Sequence, residues 1–243
     1  MINDWIGALI LLSYYLVTCF ALPVMLKAWV RIPTEWVRKL QHVAYSLSIF
    51  IHLKLFSVWY IAIAAAFLLV LVAYPALLLI EKSNFYKKLL TDRTSNGGEL
   101  RKQMLYVQIT FAILIFIYWG LLGTQWQYVV AVSVMAWGFG DAAAALIGKA
   151  FGRQRILHSF IESAKTCEGT TAMILFATLA CFLTLMLYGG LTWYVSLLIS
   201  VIVGPVCGLV ELFSRQGTDT FTVPLSAAAL IMPLAYLISL TGW

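Results

Sequence analysis

An acidic residue within an apolar run is the feature of this sequence that points most directly to chemistry. Asp141 lies in the apolar segment 128–147, where it follows two closely spaced glycines. A carboxylate inside a membrane helix is unfavourable unless it has a partner, so such a residue marks a candidate functional site. The segment that follows, 148–170, is basic and rich in glycine. This pairing favours an enzyme that acts on anionic, metal-bound substrates over a passive scaffold.

The residues of segment 148–170 are suited to phosphate. Arginine binds phosphate in a bidentate manner and lysine acts as a point charge. The cationic candidates are Lys149, Arg153, Arg155 and Lys165. Glycines allow a ligand or a second helix to approach the backbone closely, and the candidates of this kind are Gly140, Gly148, Gly152 and Gly169. The alternative is that the glycines only pack helices and the basic residues only set the topology.

A second cluster of polar residues spans 211–224. Glu211 and Asp219 flank a short turn that contains Gly217, and Thr222 follows. Together with Asp141, these carboxylates offer the oxygen ligands that Mg²⁺ prefers, and phosphoryl chemistry commonly uses several such ligands. The simpler alternative is a turn between two helices in which Asp219 caps the second one.

A third cluster is Arg38, Lys39 and His42, which lie on adjoining turns of a predicted helix. One helical surface can present all three to a phosphate or a lipid headgroup. By itself, such a group is more typical of an anchor at the membrane interface.

The composition identifies the structural class that must position these residues. Of 243 residues, 63% are hydrophobic and 11% are charged. Soluble domains carry about 25% charged residues, so the sequence predicts an all-α polytopic membrane protein with one transmembrane catalytic domain over 1–243. The net charge of +6 is explained by membrane topology and needs no nucleic-acid partner. The four cysteines have no CxxC spacing and are interpreted as small core residues.

Apolar runs of about 20 residues predict seven membrane-spanning helices. They are Trp5–Leu26, Phe56–Ile80, Met104–Leu122, Tyr128–Ile147, Thr171–Tyr188, Trp193–Leu212 and Thr222–Leu240. The shorter run Val37–Ile51 is predicted to be an eighth helix. If residues 37–54 are instead a re-entrant hairpin, the count is seven.

The basic residues support the count of eight. With eight helices, the loops at about 27–42, 81–103, 148–170 and 213–221 lie on one side of the membrane. These loops and the adjoining helix ends contain every Lys and Arg except Lys54. The positive-inside rule then predicts that this side is cytoplasmic and that both termini are outside. All three polar clusters converge on that face.

Taken together, these segments resemble the CTP-dependent lipid-alcohol kinases, the family of dolichol kinase, phytol kinase and CTP-dependent diacylglycerol kinase. The part from Asp141 to Gly169 is also similar to CDP-diacylglycerol synthases. The chain departs from the kinase pattern at Thr166-Cys167 and at Asp219-Thr220. The matching elements are Arg38-Lys39-x-x-His42, Gly98-Glu99-Leu100, Gly140-Asp141 with Gly148 and Gly152, Lys165-x-x-Glu168-Gly169, Glu211, and Gly217-x-Asp219-x-x-Thr222-x-Pro224.

The resemblance implies transfer of the γ-phosphoryl group of CTP, or another nucleoside triphosphate, to the hydroxyl of a lipid alcohol such as an isoprenoid alcohol or diacylglycerol. It implies Mg²⁺, or Mn²⁺, held by Asp141, Glu211 and Asp219. Lys165 would stabilise charge on the phosphates, and Glu168 would activate the acceptor hydroxyl or contact a second metal ion. The expected nucleotide or phosphate contacts are Arg38, Lys39, His42, Gly140, Lys149, Gly152, Arg153, Arg155, Lys165, Gly169, Gly217 and Thr222.

Two other functions remain open at this point. A cytidylyltransferase that activates a phospholipid with CTP would fit the segment 141–169 and would release pyrophosphate. A transporter of lipids or small molecules would need no nucleotide, but its polar residues should be spread over the depth of the membrane. The expected partners of the kinase are a lipid alcohol, a nucleoside triphosphate and membrane lipids.

Overall fold

The computed structural model describes residues 2–29, 32–80, 98–215 and 217–240. Most of the predicted loop 81–103 lies outside these ranges. The described residues are helical, with one isolated β-bridge between Arg155 and Thr166. This confirms the predicted all-α class.

Ten α-helices are described, and they are numbered here in chain order. The first six are α1 (Ile2–Leu16), α2 (Leu22–Trp29), α3 (Thr34–Leu47), α4 (Ile49–Leu55), α5 (Trp59–Ile80) and α6 (Glu99–Leu114). The other four are α7 (Gln127–Phe151), α8 (Cys167–Leu187), α9 (Trp193–Phe213) and α10 (Asp219–Leu240). Two π-helical segments, Val17–Ala21 and Ile115–Leu121, continue α1 and α6.

Seven helical stretches of the described chain are long and apolar enough to cross a membrane. They correspond to the seven long runs predicted from hydropathy, and they identify an integral membrane protein. The chain divides into two compact units, Met1–Phe116 and Ile117–Trp243. The function of the whole chain as one catalytic domain stays a prediction.

In the first unit, the segment 34–55 accompanies the first long helix in the antiparallel direction. Near one end, Gln41 Nε2 donates a hydrogen bond to Thr18 O at 3.1 Å. Further along, Tyr14 Oη donates to Ala44 O at 2.7 Å. At the far end, Asp4 accepts hydrogen bonds from the backbone N–H and hydroxyl of Ser57, at 2.8 and 3.1 Å. Residues 34–57 therefore run alongside residues 4–27 for most of their length.

This pairing bears on the predicted eighth helix, Val37–Ile51. The segment is helical, but Ser48 separates α3, with 14 residues, from α4, with 7. Neither is long enough by itself to be a membrane-spanning helix. The two together follow the first long helix from its middle to its start, and the eighth membrane span stays a prediction beside the seven long helical stretches.

The second unit is a bundle of four antiparallel helices in which α7 packs against α8 and α10, and α9 packs against α8 and α10. Most of α7 is buried, and Trp137 at its centre is fully enclosed. Glycines allow close approach between helices here, since a Cβ on Gly208 of α9 would collide with Ile174 of α8. Small residues at such contacts are typical of membrane helix packing.

Candidate functional site

The predicted polar residues of the second unit gather at one end of its bundle. Because consecutive helices are antiparallel, the end of α7, the start of α8, the end of α9 and the start of α10 lie at the same end. Two connections close it, the loop 152–166 and the turn 214–218. The predicted segments 148–170 and 213–221 are thus placed side by side, and we refer to this region as the polar end of the second unit.

An ion pair joins the loop 152–166 to the last turn of α9. Lys165 Nζ donates a close hydrogen bond to Glu211 Oε1 and a second one, of 3.0 Å, to Glu211 O. Glu211 is only 4% exposed. Burying a carboxylate is unfavourable without a counter-charge, and Lys165 supplies one. The structure therefore brings a predicted phosphate-binding residue into contact with a predicted metal ligand.

Asp141 lies farther from the end of its helix than the sequence indicated. The helix α7 continues to Phe151, ten residues beyond Asp141, which is about 15 Å along the helix axis. The predicted span ended at Ile147, which left only about two turns after Asp141. The side chain is 8% exposed. Its carboxylate is thus enclosed within the bundle, close to the polar end but below it.

Asp219 meets the same face of α7. Trp137 Nε1 donates a hydrogen bond of 3.4 Å to Asp219 Oδ2. Trp137 and Asp141 are four residues apart, so they lie on one face of α7, one turn from each other. Asp219 is the first residue of α10 rather than the residue before it. The first turn of α10 therefore lies against the part of α7 that carries the buried carboxylate.

The carboxylates fit a hard cation in type but do not form a ready-made cage. Among the described residues, no group of three His, Cys, Asp or Glu side chains is close enough to hold a metal ion. Mg²⁺ commonly uses one or two protein carboxylates and takes its other ligands from water and substrate phosphates. The donor set is therefore compatible with a cation that arrives together with a triphosphate, and joint ligation by Asp141, Glu211 and Asp219 stays a prediction.

Glu168 has a structural task in the loop 152–166. Its Oε1 accepts hydrogen bonds from the backbone N–H groups of Arg153, at 3.0 Å, and Gln154, at 3.3 Å. In return, the N–H of Cys167 donates to Gln154 O at 2.9 Å. These contacts fasten the start of the loop to the first turn of α8. The predicted activation of an acceptor hydroxyl by Glu168 would have to compete with them.

The glycines predicted to bind phosphate have neighbours that explain their small size. A Cβ on Gly169 would lie 3.0 Å from Ala144 O and 3.3 Å from Gly148 Cα, so α7 and α8 touch at their backbones. A Cβ on Gly140 would lie 2.6 Å from Met173 Sδ. At Gly152 a Cβ would meet the Thr166 side chain at 2.7 Å. Close packing therefore accounts for a small residue at these positions, and their predicted contact with phosphate stays untested.

The turn 214–218 is also held internally. Gly217 adopts a positive φ of 81°, a conformation that residues with a Cβ rarely adopt. Thr222 Oγ1 lies 2.7 Å from Ser214 Oγ and donates to Thr218 O at 3.1 Å. Gly217 and Thr222 thus stabilise the turn, the second from the first turn of α10, and their predicted contact with a nucleotide stays untested.

Arg215 is the residue that sequence reasoning passed over. Its Nη2 donates to Ser159 O at 2.6 Å and its Nε donates to Phe160 O at 3.1 Å. One arginine thus ties the turn 214–218 to the loop 152–166. The only sequence signal was a lone cation in a short turn, because its acceptors are backbone carbonyls that any residue supplies.

The remaining basic residues of this end face outward. Lys149, Arg153 and Arg155 are all exposed. The cations of the polar end therefore differ in placement, since Lys165 is turned inward to Glu211 while these three lie on the surface.

The first unit contains the third predicted cluster. Arg38 forms an ion pair with Glu35 at 2.9 Å, one turn away on α3. Lys39 is 5% exposed and His42 is 2% exposed. Gln103 Nε2 donates to His42 Nδ1 at 2.7 Å, which links α3 to α6. The cluster is more enclosed than an interfacial anchor would be, and its predicted contact with phosphate or a headgroup is untested.

Comparison with known proteins gives one informative match. The chain is 37% identical over 112 residues to a phytol kinase of Synechocystis sp., and the match covers 44% of each protein. The chain therefore matches less than half of the length of this curated relative. No protein-family model matches the chain, and no solved structure matches it. The similarity confirms, over that part of the chain, the predicted resemblance to the lipid-alcohol kinases.

Proposed function

We propose that this protein is a membrane-embedded kinase that transfers the γ-phosphoryl group of CTP to the hydroxyl of a lipid alcohol, with an isoprenoid alcohol such as phytol as the first candidate. The observation that carries the proposal is the similarity to a phytol kinase. The choice of CTP rests on the family resemblance described above.

The polar end of the second unit is a suitable place for this reaction. The alcohol and the triphosphate come from different phases, because one is dissolved in the bilayer and the other in water. A site among helix ends is accessible to both. The buried Asp141, the Lys165–Glu211 pair and the outward-facing cations lie within one bundle at that end.

Lys165 would be the main phosphate contact of the chain. In phosphoryl transfer, catalysis consists mostly of positioning and of stabilising charge on the phosphate oxygens. Lys165 Nζ already has a buried acceptor in Glu211, so its ammonium group is held in place before a substrate binds. Arg153 and Arg155, on the same loop, would contact the outer phosphates.

The carboxylates would bind the cation that accompanies the triphosphate. Asp141 is on the face of α7 that Asp219 contacts through Trp137, and these two carboxylates are the first candidates to hold the cation. Mg²⁺ bound there would neutralise charge on the transferring phosphoryl group. The alcohol oxygen would form the new bond to the γ-phosphorus while the bond to the leaving CDP breaks. Glu168 is the predicted acceptor of the hydroxyl proton.

A direct assay tests the proposal. The purified protein in phospholipid nanodiscs is incubated with Mg²⁺ and γ-labelled CTP, with phytol, farnesol, polyprenol and diacylglycerol offered in parallel. We expect label in an organic-soluble lipid phosphate from at least one alcohol, and much less from the Asp141→Asn variant.

The same assay with α-labelled CTP separates the alternatives. Label that enters a CDP-lipid would overturn the kinase in favour of a cytidylyltransferase. If no alcohol is phosphorylated and CTP stays intact in every reaction, the kinase proposal is wrong and a transport function gains support.

A further inference from the structure

The loop 152–166 carries two large apolar side chains on its surface. Leu157 is 84% exposed and Phe160 is 66% exposed. Most other exposed apolar side chains of the described chain lie on the long helices, where lipid covers them. Outside those helices, Leu157 and Phe160 are the most exposed large apolar residues that the structure describes. Exposed apolar groups on a loop call for a specific explanation.

The tip of this loop is folded rather than extended. Ile156 N–H donates to Lys165 O at 3.0 Å, next to the bridge between Arg155 and Thr166. Ile161 N–H donates to His158 O at 3.0 Å and closes a tight turn. The two apolar side chains are therefore presented by a defined hairpin-like segment, which we call the 156–161 tip.

Arg215 fixes the direction of the tip. Its two hydrogen bonds to Ser159 O and Phe160 O hold the tip against the turn 214–218. That turn lies between two membrane-spanning helices, as does the loop itself. The tip is therefore held against the helix ends of the bundle instead of projecting away from them.

The charges near the tip complement an anionic lipid surface. Lys149, Arg153 and Arg155 are exposed on the approach to the tip, and His158 lies within it. Exposed cations next to apolar side chains are typical of segments that lie in the interfacial region, where apolar groups enter the headgroup layer and cations attract anionic lipids.

We propose that the 156–161 tip is an interfacial anchor that inserts Leu157 and Phe160 into the headgroup region of the bilayer, with anionic phospholipid as its partner. The proposal rests on the chain spanning a membrane and is independent of the proposed kinase activity. One consequence is that Lys165, which follows the tip, is held at the membrane surface.

Spin-label accessibility tests the anchor. In a Cys167→Ser background, which removes the exposed cysteine, single cysteines replace Leu157, Phe160 and, as the matched control, the exposed Ser163 of the same loop. Each variant is labelled with a nitroxide and reconstituted into vesicles of phosphatidylcholine and phosphatidylglycerol. We expect collisions with oxygen to exceed collisions with a water-soluble nickel complex at 157 and 160, and the reverse at 163.

Three results would overturn the proposal. If labels at 157 and 160 collide with the nickel complex as often as the label at 163, the tip lies in water. If they become shielded only after CTP and Mg²⁺ are added, the nucleotide covers the tip instead of lipid. Vesicles of phosphatidylcholine alone examine the role of charge, because an unchanged accessibility profile there would refute anionic lipid as the partner. A lower ratio of oxygen to nickel collisions would support it.

Discussion

Two buried polar networks, one in each unit, differ in charge. In the first unit, neutral side chains connect α6, α1 and the junction between α3 and α4, since Gln108 donates to Tyr15 and the Tyr15 hydroxyl lies 2.9 Å from Ser48 Oγ. In the second unit, the polar contacts that could take part in a reaction are charged, and the ion pair of Lys165 and Glu211 is the clearest example. The first arrangement connects helices, and the second concentrates charge at helix ends.

The contrast indicates where chemistry is expected. Neutral hydrogen bonds inside a membrane protein contribute modestly to stability, and the groups that form them do not need contact with water. Charged groups are tolerated when they are paired or near the membrane edge. Asp141 differs from the neutral network because it is a carboxylate, and from the Lys165–Glu211 pair because it lies ten residues from the end of its helix. Its role in function stays a prediction, which the Asp141→Asn variant tests.

The largest effect is expected at Asp141. Replacing it with Asn keeps the shape and removes the charge, and we expect lipid-alcohol phosphorylation to fall by about 1000-fold, as happens when a main electrostatic contact is lost. The matched control is Ser133→Ala on the same helix, whose hydroxyl bonds only to its own turn, at Val130 O. Turnover in the nanodisc assay measures both. If the Asp141→Asn variant phosphorylates lipid alcohol as fast as the unchanged protein, the carboxylate of Asp141 is not needed for the reaction.

The next effect concerns the charged pair. Lys165→Met is expected to lower kcat/KM for CTP by about 100-fold, because an ammonium group aimed at phosphate is lost. Lys165→Arg keeps the charge and should retain more activity than Lys165→Met. Steady-state kinetics with varied CTP gives the comparison. Equal activity in the two variants would show that the positive charge is not what matters at this position.

A smaller effect is expected in the packing that supports the polar end. Gly169→Val places side-chain atoms against Ala144 O and Gly148 Cα, and we expect it to lower the free energy of unfolding by about 1–3 kcal/mol. Thr171→Val, on an exposed part of the same helix, serves as the control. Thermal unfolding in detergent reports the difference. A Tm equal to that of the control would mean that α7 and α8 are not in backbone contact here.

The smallest effect is expected in the neutral network of the first unit. Gln108→Leu should lower stability by about 1 kcal/mol and leave the kinetics of the remaining folded protein unchanged. A double-mutant cycle with Tyr15→Phe isolates the contact, with an expected coupling of about 0.6 kcal/mol. Zero coupling would contradict the hydrogen bond. A large loss of turnover would show that the neutral network of the first unit contributes to activity as well as to stability.

The long helices were predictable because their signal is local. Hydropathy and length predict a span whatever it packs against, so the predicted Trp193–Leu212 differs from the observed α9 by one residue. Segment 34–55 was harder, since its course depends on contacts such as Gln41 with Thr18, 23 residues apart. Its polar residues made it look marginal for a membrane, and only the pairing explains how it is accommodated.

The site was predictable in its residue types but not in its pairings. Asp141 stands out because a charge in an apolar run is visible in any window of sequence. The contact between Lys165 and Glu211 joins residues 46 apart, and no local pattern encodes it. Gly169 lies at a close contact between helices, and Glu168 accepts hydrogen bonds that close the loop. A residue of the motif can thus have a structural contact whether or not it also takes part in chemistry, and spacing alone does not reveal that contact.

The antiparallel course of residues 4–27 and 34–57 has a consequence for biogenesis. The second arm carries Lys39, Gln41 and His42, which are unfavourable in lipid when a helix enters alone. Gln41 has its acceptor on the first arm, at Thr18 O. The two arms are therefore expected to leave the translocon together as a helical hairpin, so that the first arm acts as an intramolecular chaperone for the second.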